Sequence, residues 1–370
     1  MTPLGREIAA LIRASGPIGV DRYMALCLGH PVHGYYRTRD PLGPRGDFTT
    51  APEISQMFGE LLGAWAAYVH RASGTPGPLT LVELGPGRGT LMADALRALA
   101  AAAPGVRVAV HLVETSPVLR AAQERALAGA GAGVGAIWHA GLDTLPDGPA
   151  IVLANEFLDC LPVRQFARTA SGWHERVVGL GPDGEALAFG LSPDPVPGLG
   201  ATAPEGAVMS VPGPALDLVR GLARRFHEQG GALLAIDYGH VRPGFGDTLQ
   251  ALAGHRFADP LAAPGAADLT AHVDFAALAG AARAEGAAVH GPVAQGDFLL
   301  ALGLAERAAR LRARADAAQA AAIDAAVARL TDPGERGMGR LFKVMAVAAP
   351  GLGPLPGLPE ASSSDAEPPT

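Results

Sequence analysis

The rhythm of apolar and polar positions changes more than once along the chain. Up to about Gly77, short helical patches alternate with turn clusters such as HPVHGYY and DPLGPRGDFTTAPE, beginning with an amphipathic stretch over MTPLGREIAALIRASGP that carries Glu7. From Leu79 the pattern becomes LTLVEL, a helical stretch from Thr90 to Ala103, VRVAVHLVE, a helical stretch from Pro117, a short strand near Ile137, and AIVLAN. Strand-length apolar runs that alternate with helices predict a parallel sheet covered on both faces.

After Asn155 the alternation breaks. VRQFAR, WHERVVGL and ALAFGL follow one another, with Gly-Pro-Asp-Gly at 181–184, which predicts an antiparallel insertion with hairpin turns. A helix over Ala215 to Gln229 leads into ALLAIDYG; Gly239 to Gly265 is turn-rich; 270–285 and 296–330 read as helices; FKVMAVAA supplies a last strand. Beyond Pro350 the composition of GLGPLPGLPEASSSDAEPPT predicts a disordered tail, because so little apolar surface is there to bury. No repeat of fixed period is present.

Composition narrows the function classes. With 370 residues, 49% of them hydrophobic and 18% charged, the chain can bury a large core, which excludes disorder of the whole. The 49 glycines and 32 prolines are scattered without a collagen period, so many loops are expected. Basic residues number 29 against 36 acidic, a net charge of −7, so no global positive field exists to draw in nucleic acid or an anionic membrane. Neither a nucleic-acid partner nor membrane insertion is expected. Cys27 and Cys160 stand far apart, and His30 and His33 lack companions, so neither a disulfide framework nor a metal site is expected. The first residues show neither a signal-like apolar region nor an apolar run of about 18 residues, which predicts a soluble, cytoplasmic protein.

The sharpest local signal is Leu81-Val82-Glu83-Leu84-Gly85-Pro86-Gly87-Arg88-Gly89-Thr90. A strand ending in an acid runs into a glycine-rich turn and then a helix, which lets a ligand approach the backbone and meet a helix N-terminus. A dinucleotide fingerprint would want glycine or alanine at position 90, where Thr90 stands, and this disfavours a nicotinamide oxidoreductase. Glu114 ends the next strand, where a carboxylate can accept two hydroxyl hydrogen bonds at once.

The E-x-G-x-G-x-G form resembles motif I of class I S-adenosylmethionine-dependent methyltransferases. Further segments, Gly46 to Glu60 (GDFTTAPEISQMFGE), Asn155 to Val163 (NEFLDCLPV), Ile236 to Gly239 (IDYG) and Gln295 to Leu299 (QGDFL), resemble the MidA-like family of those enzymes, over roughly Ile18 to Ala348. The resemblance implies a Rossmann-like α/β fold, a seven-stranded doubly wound sheet with an N-terminal helical cap and a β-hairpin-containing insertion. It implies S-adenosyl-L-methionine as cofactor, a protein arginine ω-nitrogen as methyl acceptor, and a protein substrate, a respiratory complex I subunit being the family's example. A small-molecule methyltransferase, and a cofactor-binding assembly factor whose catalysis is dispensable, are the alternatives. The corresponding division is 1–77 as N-terminal helical extension and cofactor lid, 78–348 as methyltransferase core with insertions at about 163–212 and 268–330, and 349–370 as tail.

Residue by residue, the resemblance implies cofactor contacts from Thr50, Glu53, Ser55, Glu83, Gly85, Pro86, Gly87, Gly89, Glu114 and Asn155. Thr50 followed by Glu53 is also a helix capping box, and the two readings are compatible. On the substrate side it implies Glu156 and Asp159 as carboxylates beside a guanidinium, with Asn155, Tyr238 and His272 as further candidates. A guanidinium stays protonated near neutral pH and its nitrogen is a poor nucleophile, so a carboxylate that localises its charge suits methyl transfer. The alternatives are that Glu156 caps the following turn, that Asp237 is a satisfied strand-end acid beside Tyr238, and that His272 is structural.

Overall fold

A computed structural model describes residues 1–43, 46–129, 135–200 and 202–359. They divide into two compact units, each assembled from separate stretches of chain.

The larger unit comprises Thr49–Leu158, Leu218–Val241 and Phe275–Thr370. Its strands are β1 (Leu79–Leu84), β2 (Val108–Val113), β3 (Ala136–His139), β4 (Ala150–Asn155), β5 (Gly231–His240), β6 (Ala288–Ala294) and β7 (Phe342–Ala348). They lie in the order β6-β7-β5-β4-β1-β2-β3. Strands β1–β5 are parallel to one another, and β7 runs antiparallel to both β5 and β6. The alternating apolar pattern becomes nearly continuous in β4 and β5, where every residue of Ala150–Asn155 and of 231–236 is buried, as parallel strands covered on both faces require. One apolar core gathers Phe58, Leu62, Trp65, Leu81, Leu91, Leu153, Leu234 and Val344 around this sheet.

The order reverses between β1 and β4, which pair side by side with Leu84 opposite Ala154. At such a switch point the connections leave the carboxyl ends of the strands in opposite directions and open a crevice. The β1 exit is the glycine-rich turn and the β4 exit is Asn155-Glu156-Phe157, so the topology puts the two strongest sequence signals at one crevice.

The smaller unit comprises Met1–Phe48, Asp159–Asp217 and Arg242–Asp274. It holds helices Pro3–Ser15 and Val20–Gly29, an antiparallel sheet built on Arg164–Thr169, Gly172–Leu180, Leu187–Leu191 and Val208–Val211, and a three-stranded sheet of Gln250–Ala253, Arg256–Ala258 and Asp268–Thr270. Its core contains Leu4, Ile8, Tyr23, Met24, Tyr35, Val178 and Leu269.

Two divisions drawn from the sequence are corrected. The segment 1–77 is not one extension: 1–48 belongs to the smaller unit, and the remainder packs with the sheet through the helix Gln56–Ala72. The tail does not begin at 349. Leu352, Leu355 and Leu358 are buried in the larger core, and a Cβ on Gly357 would stand 2.8 Å from Phe298. Averaged composition conceals three leucines spaced to meet one surface. The rest of the tail, 360–370, lies outside the described residues.

Candidate functional site

The turn after β1 is built from backbone. Gly85, Gly87 and Gly89 have φ of 58°, 54° and 82°, a region that side chains with a Cβ rarely enter, and the Gly89 N–H donates to the Pro86 carbonyl at 2.8 Å. The turn delivers the chain into helix α3 (Thr90–Ala102), whose first residues receive no side-chain cap from Gly89. Helices α1 (Ala51–Ile54), α2 (Gln56–Ala72) and α4 (Pro117–Ala128) complete the surroundings. Glu83, buried in β1, accepts the backbone N–H of Met92, and burial pushes its carboxyl well above the ordinary range. Its other oxygen has no partner among the described residues.

The segment 49–55 meets this turn. Thr50 flanks α1 without a side-chain capping bond, and the Glu53 carboxylate instead receives Thr90 Oγ1 at 2.5 Å and the Arg88 guanidinium at 3.4 Å. The capping box is therefore not formed, and Glu53 ties the segment to the glycine turn. Ser55 caps α2 by accepting the Met57 N–H at 3.2 Å.

The β4 exit is built from a side chain. Glu156 has φ of 50°, uncommon for a residue with a Cβ, and its Oε1 accepts from the Ala51 N–H at 3.0 Å and from Asn155 Nδ2 at 3.1 Å. Asp237, buried at the end of β5, holds the loop in place: its Oδ2 accepts the N–H groups of Phe157 at 3.2 Å and Leu158 at 2.9 Å, while Oδ1 accepts that of Tyr238 at 2.9 Å. Phe157 closes the gap to the glycine turn, since a Cβ on Gly85 would fall 2.7 Å from its ring. Tyr238 is half-buried and meets the Phe342 ring edge-on at 5.4 Å.

Glu114 ends β2. Its Oε1 accepts the Ser116 N–H at 2.6 Å and its Oε2 accepts Gln123 Nε2 at 3.2 Å; burial raises its carboxyl, and these donors and the nearby Arg120 oppose the rise. The Thr115 N–H is a third donor, and three bonds still leave acceptor capacity on a group with about four lone-pair positions.

The residues present fit S-adenosylmethionine. Glu83 Oε2 and Asn155 Oδ1 are buried acceptors without partners among the described residues, suited to an ammonium; the glycine turn exposes backbone at a helix N-terminus; and Glu114 retains capacity for hydroxyl groups. Thr50, Glu53, Ser55, Glu83, Gly85, Pro86, Gly87, Gly89, Glu114, Asn155, Glu156 and Tyr238 all belong to the larger unit. Asp159 and His272 do not. In the smaller unit, Asp159 is buried near Asp268, which burial and the neighbouring Asp159 charge push up to about 8, and Tyr36 donates to Asp268 at 2.8 Å. The His272 N–H donates to Thr248 Oγ1 at 3.3 Å. One residue escaped the sequence reading altogether: Gln123, one of several polar residues in an ordinary amphipathic helix. Asp237, read as a strand-end acid beside Tyr238, is satisfied by backbone amides.

This strand order, with a glycine turn and an acid at adjoining strand ends, defines a class I S-adenosylmethionine-dependent methyltransferase. A family model described as "Putative S-adenosyl-L-methionine-dependent methyltransferase" matches residues 61–293. "Protein arginine methyltransferase NDUFAF7 homolog, mitochondrial" of Drosophila melanogaster is 38% identical over 93% of this chain and 84% of its own length. The Homo sapiens protein named "Protein arginine methyltransferase NDUFAF7, mitochondrial" is 38% identical over 82% of this chain and 74% of its own. A crystal structure from Burkholderia thailandensis, described as a "likely methyl transferase" bound to S-adenosyl-homocysteine, superposes with a TM-score of 0.83 at 32% identity, covering 96% of this chain and 93% of that one. The chain belongs to this MidA-like methyltransferase family, and its cofactor is S-adenosylmethionine. The cytoplasmic setting expected from the sequence is corrected by these relatives, whose names are mitochondrial. Among the described residues, no helix is long and apolar enough to cross a membrane.

Proposed function

We propose that this methyltransferase acts on a guanidine nitrogen of a protein arginine, with Glu156 gripping the guanidinium. The observation that carries the reading is the conformation of Glu156. A residue with a Cβ is held at φ 50° at the carboxyl end of β4, with its loop fixed by two backbone bonds to Asp237. Strain of this kind costs about 1–3 kcal/mol and persists where the surroundings over-determine it, which is common at sites of chemistry. The names of the relatives supply the arginine specificity.

The bound cofactor supplies an electrophilic methyl group. Glu83 and Asn155 hold the amino-acid end, Gly85, Pro86, Gly87 and Gly89 supply the cradle, and Glu114 takes the ribose hydroxyls. Glu53 anchors the segment carrying Thr50 and Ser55 as a cover. Glu156 localises the guanidinium charge on one edge, so the nitrogen aimed at the methyl group keeps its electron pair available, and its carboxylate receives the proton released after transfer. Tyr238, in the same unit as Glu156, is the candidate wall of the substrate path.

Incubation of the purified chain with labelled S-adenosylmethionine and lysate from a strain lacking it, followed by mass spectrometry, should yield methylarginine in a protein. A respiratory complex I subunit is the first candidate to inspect. Label appearing only in small molecules would overturn the arginine reading while leaving the methyltransferase class intact.

A further inference from the structure

Gln123 has no assigned part in the reaction, yet it is completely buried on α4, and all three of its amide bonds reach the cofactor crevice or its support. Trp138 Nε1 donates to its Oε1 at 2.8 Å, while its Nε2 donates to the Gly87 carbonyl at 2.8 Å and to Glu114 Oε2 at 3.2 Å. The orientation of the amide is forced. An indole N–H can only donate, so the oxygen must face Trp138; a flipped amide would set NH2 against N–H on one side and oxygen against two oxygens on the other. One side chain therefore joins the glycine turn after β1 to the carboxylate that ends β2. Ser116 holds the second oxygen of that carboxylate at 2.6 Å, so both oxygens of Glu114 are fixed.

We propose that Gln123 is a positioning residue for ribose recognition, setting the Glu114 carboxylate against the Gly87 backbone so that the enzyme distinguishes a ribose from a deoxyribose cofactor. The proposal rests on the reading of Glu114 as the ribose acceptor. Without the Gln123 amide, Glu114 loses its lateral donor and gains rotamer freedom, and its remaining lone pairs are no longer aimed together. Burial already holds this carboxyl above its ordinary range, and losing a donor raises it further.

Calorimetry with S-adenosylhomocysteine and its 2′-deoxy analogue tests this without reference to catalysis. The wild-type chain should prefer the ribose form by about tenfold or more, the worth of one bond to a charged acceptor. Gln123→Met should cut that preference by about fivefold or more while changing affinity for the deoxy analogue by less than about twofold. Trp138→Phe, which removes only the donor that orients the amide, should move the preference in the same direction by less. Equal weakening of both ligands in Gln123→Met means a merely structural residue and overturns the proposal. A wild-type preference near unity overturns the Glu114 reading and this proposal with it, whereas a normal wild-type preference that survives in Gln123→Met overturns the proposal alone. If Gln123→Met does not fold, Trp138→Phe decides: an unchanged preference overturns the proposal and a reduced one supports it.

Discussion

The two exits that flank the crevice solve opposite problems with the same backbone region. After β1 the chain turns through positive φ at three glycines, leaving backbone amides open to approach; after β4 it turns through positive φ at Glu156, keeping a carboxylate at the cost of strain. Where the backbone is the contact, a Cβ would be an obstruction. Where the side chain is the contact, a glycine would discard the chemistry. Phe157 makes the two exits depend on each other, because its ring occupies the space that a side chain at position 85 would need.

The largest expected effect tests the side-chain exit. Glu156→Gln preserves shape and removes charge, and methyl transfer to arginine should fall by about 10²–10⁴ with cofactor affinity nearly unchanged. Wild-type transfer in a direct assay would remove Glu156 from the site and turn attention to Asn155 or Tyr238. Gly85→Val tests the backbone exit: it combines an unfavourable φ with a contact on Phe157, so cofactor affinity by calorimetry should fall by about a hundredfold or more. A folded Gly85→Val chain with normal affinity would show that the turn tolerates a side chain.

Comparing small substitutions at both exits sharpens the contrast. Glu156→Gly should be more stable than Glu156→Ala by about 1 kcal/mol in denaturant unfolding, because glycine adopts φ 50° without strain, although both abolish the carboxylate. The opposite order would mean that the positive φ at 156 is not maintained in solution. The smallest effect concerns pH. If cofactor binding uses ionised Glu114, as proposed, burial raises its carboxyl and affinity should decline on acidification at a higher pH than an exposed glutamate would cause. Calorimetry across the acid range should show that decline in the wild type and a flatter profile in Glu114→Gln.

Legibility in the sequence followed locality. The glycine turn, Glu114 and Glu156 were readable because each sits at the end of an apolar run whose direction predicts where it emerges. The capping box at Thr50 and Glu53 was also readable, yet Glu53 bonds to Thr90 and Arg88 instead, because a tertiary neighbour offered a stronger donor than the local backbone. Gln123 was opaque for the same reason: its partners lie outside its own helix, and nothing in its neighbourhood marks it. Asp237 was legible as a strand-end acid, but not that it holds the Phe157 and Leu158 amides.

The alternation of apolar runs and helices determined by itself a parallel sheet with a glycine turn after its first strand, since burial on both faces and a glycine turn leave a signature within a few residues. The tertiary structure decided which residues share a unit. Glu156 and Asp159 are three positions apart but fall on either side of a unit boundary, while Leu352, Leu355 and Leu358 join a core that composition denied them. Compactness depends on contacts between remote segments, and no local pattern records which segments meet.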